Sequence, residues 1–359
     1  MFPKWFDKWN MENPKDIYRP AILVGAVGGA VFVVAMLVSW GQPFATASVQ
    51  TGPRGTGMDV TKFVSAIATP DPTVAAYAAT TSAPVIPTGS EALAKDANPA
   101  ADPVLGDLTV ENYDRLVTAM RLWTGIPTLF NGEENYQTVV ARRMIQMTQN
   151  LNENWSGHVN ASGEAGVNCY TCHRGQPVPS EIWFRITPVS KATAGWAAVQ
   201  NRTTVQSPYT SLPSDALEKY LLDGENINVH DLESRVATQP GDPTWQDTER
   251  TFSLMNYFSN SLNVNCVFCH NSRAFYDTAQ VTPQWAGAML AIQMVLEANT
   301  EYLVPLGDVL PPERLGPIYA DAPKMACKTC HKGYRKPVGG LNMIVDYPEL
   351  AATGVPVYE

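Results

Sequence analysis

The chain has 359 residues, more than one ordinary domain needs, with 16% charged residues and a formal net charge of -9. That acidic balance argues against a nucleic-acid partner and suits a basic protein partner. All six cysteines fall inside three copies of Cys-x-x-Cys-His, which leaves none for disulfides or lipid attachment.

Residues 1–20 carry Lys4, Lys8, Lys15 and Arg19 and precede an uncharged apolar run over residues 21–40. As an α-helix this run spans about 30 Å, the thickness of a bilayer's hydrocarbon layer. The basic flank assigns residues 1–20 to the cytoplasm and everything after the helix to the far side, with Trp40 at that interface. A cleaved signal peptide is the competing reading, because Ala45-Thr46-Ala47 resembles a cleavage site. The length of the run favours a retained anchor. Its GAVGGA segment, residues 25–30, would let a second helix approach closely.

Residues 41–106 are rich in Pro, Ala, Thr, Ser and Gly and lack sustained apolar periodicity. They read as an extended tether that gains order only by lying against a partner. A compact domain is expected over residues 107–359. Thr109 caps its first helix, where Tyr113, Leu116, Val117, Met120 and Trp123 recur at helical spacing. Further helices are expected over residues 136–155, about 248–262, and 285–303. Strand signals are sparse, so the domain reads as mainly α with long Pro-rich loops.

The three motifs are Cys169-Cys172-His173, Cys266-Cys269-His270 and Cys327-Cys330-His331. In this pattern two thiols add to the vinyl groups of one haem and the adjacent imidazole ligates its iron, so three covalent haem c groups are expected. Zinc would need motifs paired into four-ligand sets, which an odd number of widely separated motifs does not provide.

The helices ahead of the motifs repeat. IQMVLEANTEY (residues 292–302) aligns without gaps on IQMTQNLNENW (residues 145–155), and FSLMNYF (252–258) aligns on DRLVTAM (114–120). The chain reads as two copies of a two-helix, two-site unit. The first copy's opening site has lost its motif, with GIPTLFNG (residues 125–132) in its place. Val117 stands where the second copy has Met255.

The order of anchor, tether and repeated helix-plus-CxxCH units, with the string GVNCYTCHRGQPVP (residues 166–179), resembles the cytochrome c subunit of purple-bacterial photosynthetic reaction centres. The resemblance covers roughly residue 108 to the C-terminus. It implies a multihaem cytochrome domain, here a three-haem variant of a family that usually has four. The missing haem is the first in sequence and the farthest from the photochemical core. The family's lipid-bearing cysteine is also absent, which agrees with a retained anchor.

The resemblance further implies methionine as the sixth ligand of some haems and a second histidine for one. Met255 is then the ligand for the iron of His270. For His173 there are two contenders one turn apart, Met144 and Met147. The repeat favours Met144, because Met147 aligns with Met294, ahead of a site where the family expects no methionine. His158 is expected to reach the iron of His331 and make that site bis-histidine. His230 matches no family ligand and reads as a surface residue. Arg174, Arg273, Lys332, Arg335, Arg142 and Arg143 are too weak as signals to be given roles.

With all irons closed, the implied function is electron transfer, not enzymic turnover. By resemblance, a soluble periplasmic donor, a basic cytochrome c or a high-potential iron-sulfur protein, reduces the outermost haem. The haem of the second motif re-reduces the photo-oxidised bacteriochlorophyll pair held by the reaction centre's L, M and H subunits in the inner photosynthetic membrane. The row would run from the His173 haem through the His331 haem to the His270 haem. A respiratory multihaem quinol dehydrogenase and a multihaem peroxidase or nitrite reductase are the other readings. The latter needs an open iron.

Overall fold

The computed structural model describes residues 3–12, 18–39, 46–50, 59–63, 72–159, 165–186, 198–202, 204, 211–229, 239 and 241–358. Lys15, Trp40, Ala45 and His230 lie outside them. The chain divides into two units, residues 1–49 with 61–67 and residues 50–60 with 68–359.

In the first unit α1 (Lys4–Glu12) precedes α2 (Arg19–Ser39). The strands β1 (Thr46–Gln50) and β2 (Asp59–Phe63) pair as a two-stranded sheet. Residues Pro20–Ser39 of α2 are apolar and none of them is buried. By length and composition this helix can cross a membrane. Its side chains are apolar all round instead of along one stripe, the pattern suited to lipid on every side.

The second unit is mainly helical. In chain order its elements are α3 (Thr73–Ala78), α4 (Ala94–Ala97), α5 (Val110–Thr124), α6 (Tyr136–Asn154), α7 (Ser156–Val159) and α8 (Cys169–His173). They are followed by α9 (Ala216–Leu221), α10 (Trp245–Leu262), α11 (Pro283–Glu297) and α12 (Cys327–His331). Local chemistry sets the ends of the long helices. Thr109 and Asn135 accept from backbone N–H groups in the first turns of α5 and α6, and Gly125 closes α5 in the left-handed region at φ 64°. Helix α10 starts three residues ahead of its expected position because Thr244 and Asp247 form a reciprocal capping box. Helix α11 opens with proline and passes into a π-helical turn, Ala298–Leu303.

Two apolar clusters hold this unit. One gathers the predicted face of α5 with Leu129 and Phe130, with Cys169 and Tyr170 of the first motif, and with Met343, Tyr347 and Leu350 near the C-terminus. The other joins Met147 and Leu151 of α6 to α9, Leu254 and Tyr257 of α10, Ile292 and Val295 of α11, and Met325 and Ala326 ahead of α12.

Packing extends into the segment that composition marks as tether. Tyr77 is 3% exposed, and Ala94, Asp102 and Leu105 are also buried, so residues 72–106 belong to the compact body. Polar side chains supply the order that apolar content does not. Asn112 of α5 accepts from Val85 N–H at 3.0 Å and donates to Val85 C=O at 2.7 Å, and the Tyr113 hydroxyl accepts from Asp102 N–H at 3.0 Å. These bonds satisfy an irregular backbone that would otherwise need water.

Trp123 is the hub of the first cluster. It is fully buried, packs edge-on to Tyr347 with ring centres 4.6 Å apart, and donates from Nε1 to the Thr80 hydroxyl at 2.9 Å. Trp123→Ala should therefore cost about 3–5 kcal/mol. A thermal melt of the purified variant with an unshifted midpoint would remove Trp123 from that role.

Candidate haem-binding sites

A single helical turn puts residues i, i+3 and i+4 on one side. In α8 and α12 that geometry aligns both thiols of a motif with its histidine. The two turns are built alike. Thr171 Oγ1 accepts from Asn168 N–H, and Thr329 Oγ1 accepts from Ala326 N–H, each at 3.0 Å. Arg174 and Lys332 then end the turns in the left-handed region, at φ 51° and 50°. The second motif is a 3₁₀ turn, Cys266–Phe268, closed by a bond from His270 N–H to Cys266 C=O at 3.0 Å. Thr282 braces it, donating its hydroxyl to Phe268 C=O at 2.8 Å.

Each motif histidine has Nδ1 against a backbone carbonyl: His173 to Gln176 at 2.8 Å, His270 to Phe275 at 3.0 Å, and His331 to Tyr334 at 2.9 Å. A carbonyl can only accept, so the proton sits on Nδ1 and the Nε2 lone pair is left for a metal. His158 has the same arrangement, with Nδ1 3.0 Å from Gly287 C=O of α11. Burial lowers the pKa of all four imidazoles, that of His331 to about 4. The shift favours the neutral form, which is the one that ligates.

The rings of His158 and His331 lie 6.2 Å apart, centre to centre. Two imidazoles bonded through Nε2 to opposite faces of one metal, with bonds of about 2 Å, would have centres roughly 6 Å apart. The pair thus fits one iron between two histidines. Met255 on α10 and Met144 on α6 are both half-buried at the edge of the second cluster, whereas Met147 and Met294 are core residues, 9% and 7% exposed.

The first and third motifs are neighbours, with Cys172 Sγ 2.7 Å from Cys330 Sγ, and α12 also packs on α10. Among the described residues no three His, Cys, Asp or Glu side chains converge on a point, as a zinc centre in a protein needs. In α8 and α12, two thiols and a histidine on one side of a turn make up the donor set that a covalent haem needs.

At the register of Cys266, Cys269 and His270, the earlier copy has Thr128, Asn131 and Gly132. Arg121 donates to Leu129 C=O at 2.8 Å and to Phe130 C=O at 3.2 Å, and a Cβ at Gly132 would lie 2.8 Å from the Ala100 Cβ. Protein packing closes this region.

Sequence reasoning missed Asn152 and Asn299. Asn152 accepts from Val167 N–H and donates to Val167 C=O and Leu350 C=O, all at 2.8 Å. Asn299 accepts from Met325 N–H at 2.9 Å and donates to Met325 C=O at 3.0 Å and Leu221 C=O at 2.8 Å. Both are the eighth residue of the aligned IQM strings, a signal that was available. Likewise Gly175 N–H donates to Trp123 C=O and Gly333 N–H to Ser261 C=O, again at one register. Several undecided basic residues have structural partners. Arg142 pairs with Asp102 and Glu134, Arg143 bonds Glu301 C=O and covers Tyr302, and Lys332 donates to Ser180.

Residues 41–351 match the family described as "Photosynthetic reaction centre cytochrome C subunit". The chain is 63% identical to the photosynthetic reaction center cytochrome c subunit of Roseobacter denitrificans, over the full length of both. It is 35% identical to the subunit of that name in Rubrivivax gelatinosus, covering 92% of this chain and 90% of that one. With the Thermochromatium tepidum subunit it shares 38% identity over 70% of this chain and 63% of the relative.

Proposed function

We propose, from the premise that the chain belongs to the photosynthetic reaction centre cytochrome c subunit family, that it is a membrane-anchored triheme electron carrier of a reaction centre. The observation that carries this reading is the set of four imidazoles with Nδ1 against backbone carbonyls, three of them inside Cys-x-x-Cys-His turns. Haem iron supplies the one-electron chemistry. The chain's own residues decide how many irons there are, what closes them and how they are ordered.

Cys169, Cys172, Cys266, Cys269, Cys327 and Cys330 would hold three haems by thioether bonds, with His173, His270 and His331 as proximal ligands. Met144 and Met255 would close two of the sites and His158 the third. The count of three is supported by the closure of the region around Gly132. Two-fold repetition is supported by the matched bonds of Asn152 with Asn299 and of Trp123 with Ser261. The third motif packs on the first and on the helix bearing Met255, which supports a row with the His331 haem in the middle.

In this reading α2 crosses the inner membrane and the haem domain lies in the periplasm, where a soluble donor delivers electrons at the His173 end. The His270 end faces the bacteriochlorophyll pair. The chain should co-purify with bacteriochlorophyll-binding subunits, oxidise a haem rapidly after a flash, and cross-link to its soluble donor around the first motif. Isolation from pigment-free membranes, or haems that stay reduced after the flash, would sink the proposal.

A further inference from the structure

We propose that Asn152 and Asn299 are positioning residues, each fixing a haem-attachment turn to the helix that presents the opposite axial ligand. The inference rests on the functional reading above and names residues which that reading does not use.

Chain connectivity shows where such a device is needed. Only residues 263–265 separate α10 from Cys266, so the second motif is placed directly by the helix that carries Met255. Residues 155–168 separate α6 from Cys169, and residues 304–326 separate the π-helical turn after α11 from Cys327. Connections of that length leave the turn's distance from its helix undefined. The two asparagines occur ahead of these two motifs, and each binds the residue two places before the first cysteine, Val167 or Met325.

The binding uses both donors and one of the two acceptor positions of each side chain. An Asn side chain has one carbonyl oxygen and two N–H donors, and both residues use the oxygen once and both donors. Asn152 is 6% exposed and Asn299 fully buried, so the bonds are protected from competing water. Thr171 and Thr329 latch the next residue of each segment, Asn168 or Ala326, so the clasp is transmitted into the turn.

The other end of each connection is the distal ligand. Helix α6 carries Met144 and ends in the Asn152 clasp, so one rigid element sets the separation between thioether and imidazole. Helix α11 holds His158 through Gly287 C=O, and its π-helical extension holds the third motif through Asn299. It acts as a caliper across the His158 and His331 pair.

The test uses the full-length, haem-loaded protein carrying Asn152→Leu or Asn299→Leu. Each side chain keeps its branching pattern, grows somewhat in volume and loses all three bonds. Three readouts are taken: covalent haem per chain by intact mass, the potential of each haem by spectroelectrochemical titration, and the near-infrared methionine–iron band. Asn152→Leu should shift the His173 haem alone, with loss of most of its methionine–iron band. Asn299→Leu should shift the bis-histidine haem alone and leave that band intact. If a Leu variant does not accumulate, the Asp variant, which keeps the acceptor and loses the donors, is read by the same criterion. Shifts in all haems together, in none, or in the wrong haem overturn the clasp. A wild-type chain without covalent haem would instead overturn the functional reading itself.

Discussion

Met255→His is expected to lower the potential of one haem by roughly 0.1–0.3 V, within the about 0.8 V span that axial ligands control, and to leave the other two nearly unchanged. A thioether is a soft, weakly basic ligand that favours ferrous iron, whereas imidazole stabilises the ferric form. At about 2.3 kcal/mol for each 0.1 V, the change is large compared with an ordinary hydrogen bond. The assignment to a single haem follows from place. Met255 is half-buried on α10, eleven residues ahead of Cys266, and the motif follows that helix within three residues. The check is a redox titration that resolves the three haems. An unchanged set of midpoints removes Met255 from the ligands. A single haem turning high-spin would mean that the rigid imidazole cannot take up a ligating orientation at that position, which still identifies the residue.

The parts of this molecule that were legible in its sequence are those written in covalent or periodic form. The three motifs need only spacing. Helix α5 needs only the Thr109 cap and the recurrence of Tyr113, Leu116, Val117, Met120 and Trp123, all of which are buried. The long apolar helix follows from length alone. What stayed hidden depends on side chains bonding to distant backbone. Residues 72–106 have too few large apolar groups to read as structured, yet Asn112 and Tyr113 hold them through bonds that composition does not register. The Nδ1 bond from His158 to Gly287 was equally invisible, because it joins residues 129 apart in the chain. Asn152 and Asn299 lie between these cases. Their register is present in the aligned strings, but nothing in the strings says that an asparagine there is buried and bonded three times.

The distinction between a carrier and a reactive haem protein turns on His158. His158→Ala should convert one haem from a low-spin bis-imidazole state to a high-spin state that binds carbon monoxide when reduced, while the other two stay closed. The structural basis is the 6.2 Å separation from the His331 ring and the matching Nδ1–H groups of the two imidazoles, which donate to the Gly287 and Tyr334 carbonyls and leave each Nε2 free to ligate. Loss of the ring would remove the proposed second ligand and leave His331 in place, because it is held by α12 and the Thr329 latch. Binding of carbon monoxide to one haem in three is the expected stoichiometry, and added imidazole should restore the low-spin spectrum by occupying the space vacated. Rescue separates ligand loss from unfolding, since a collapsed site would not recover. The wild-type protein should bind no carbon monoxide under the same conditions. A bis-histidine signal that survives in His158→Ala would assign the sixth ligand elsewhere, and ready binding to the wild type would mean that an iron is open and the chain does more than conduct.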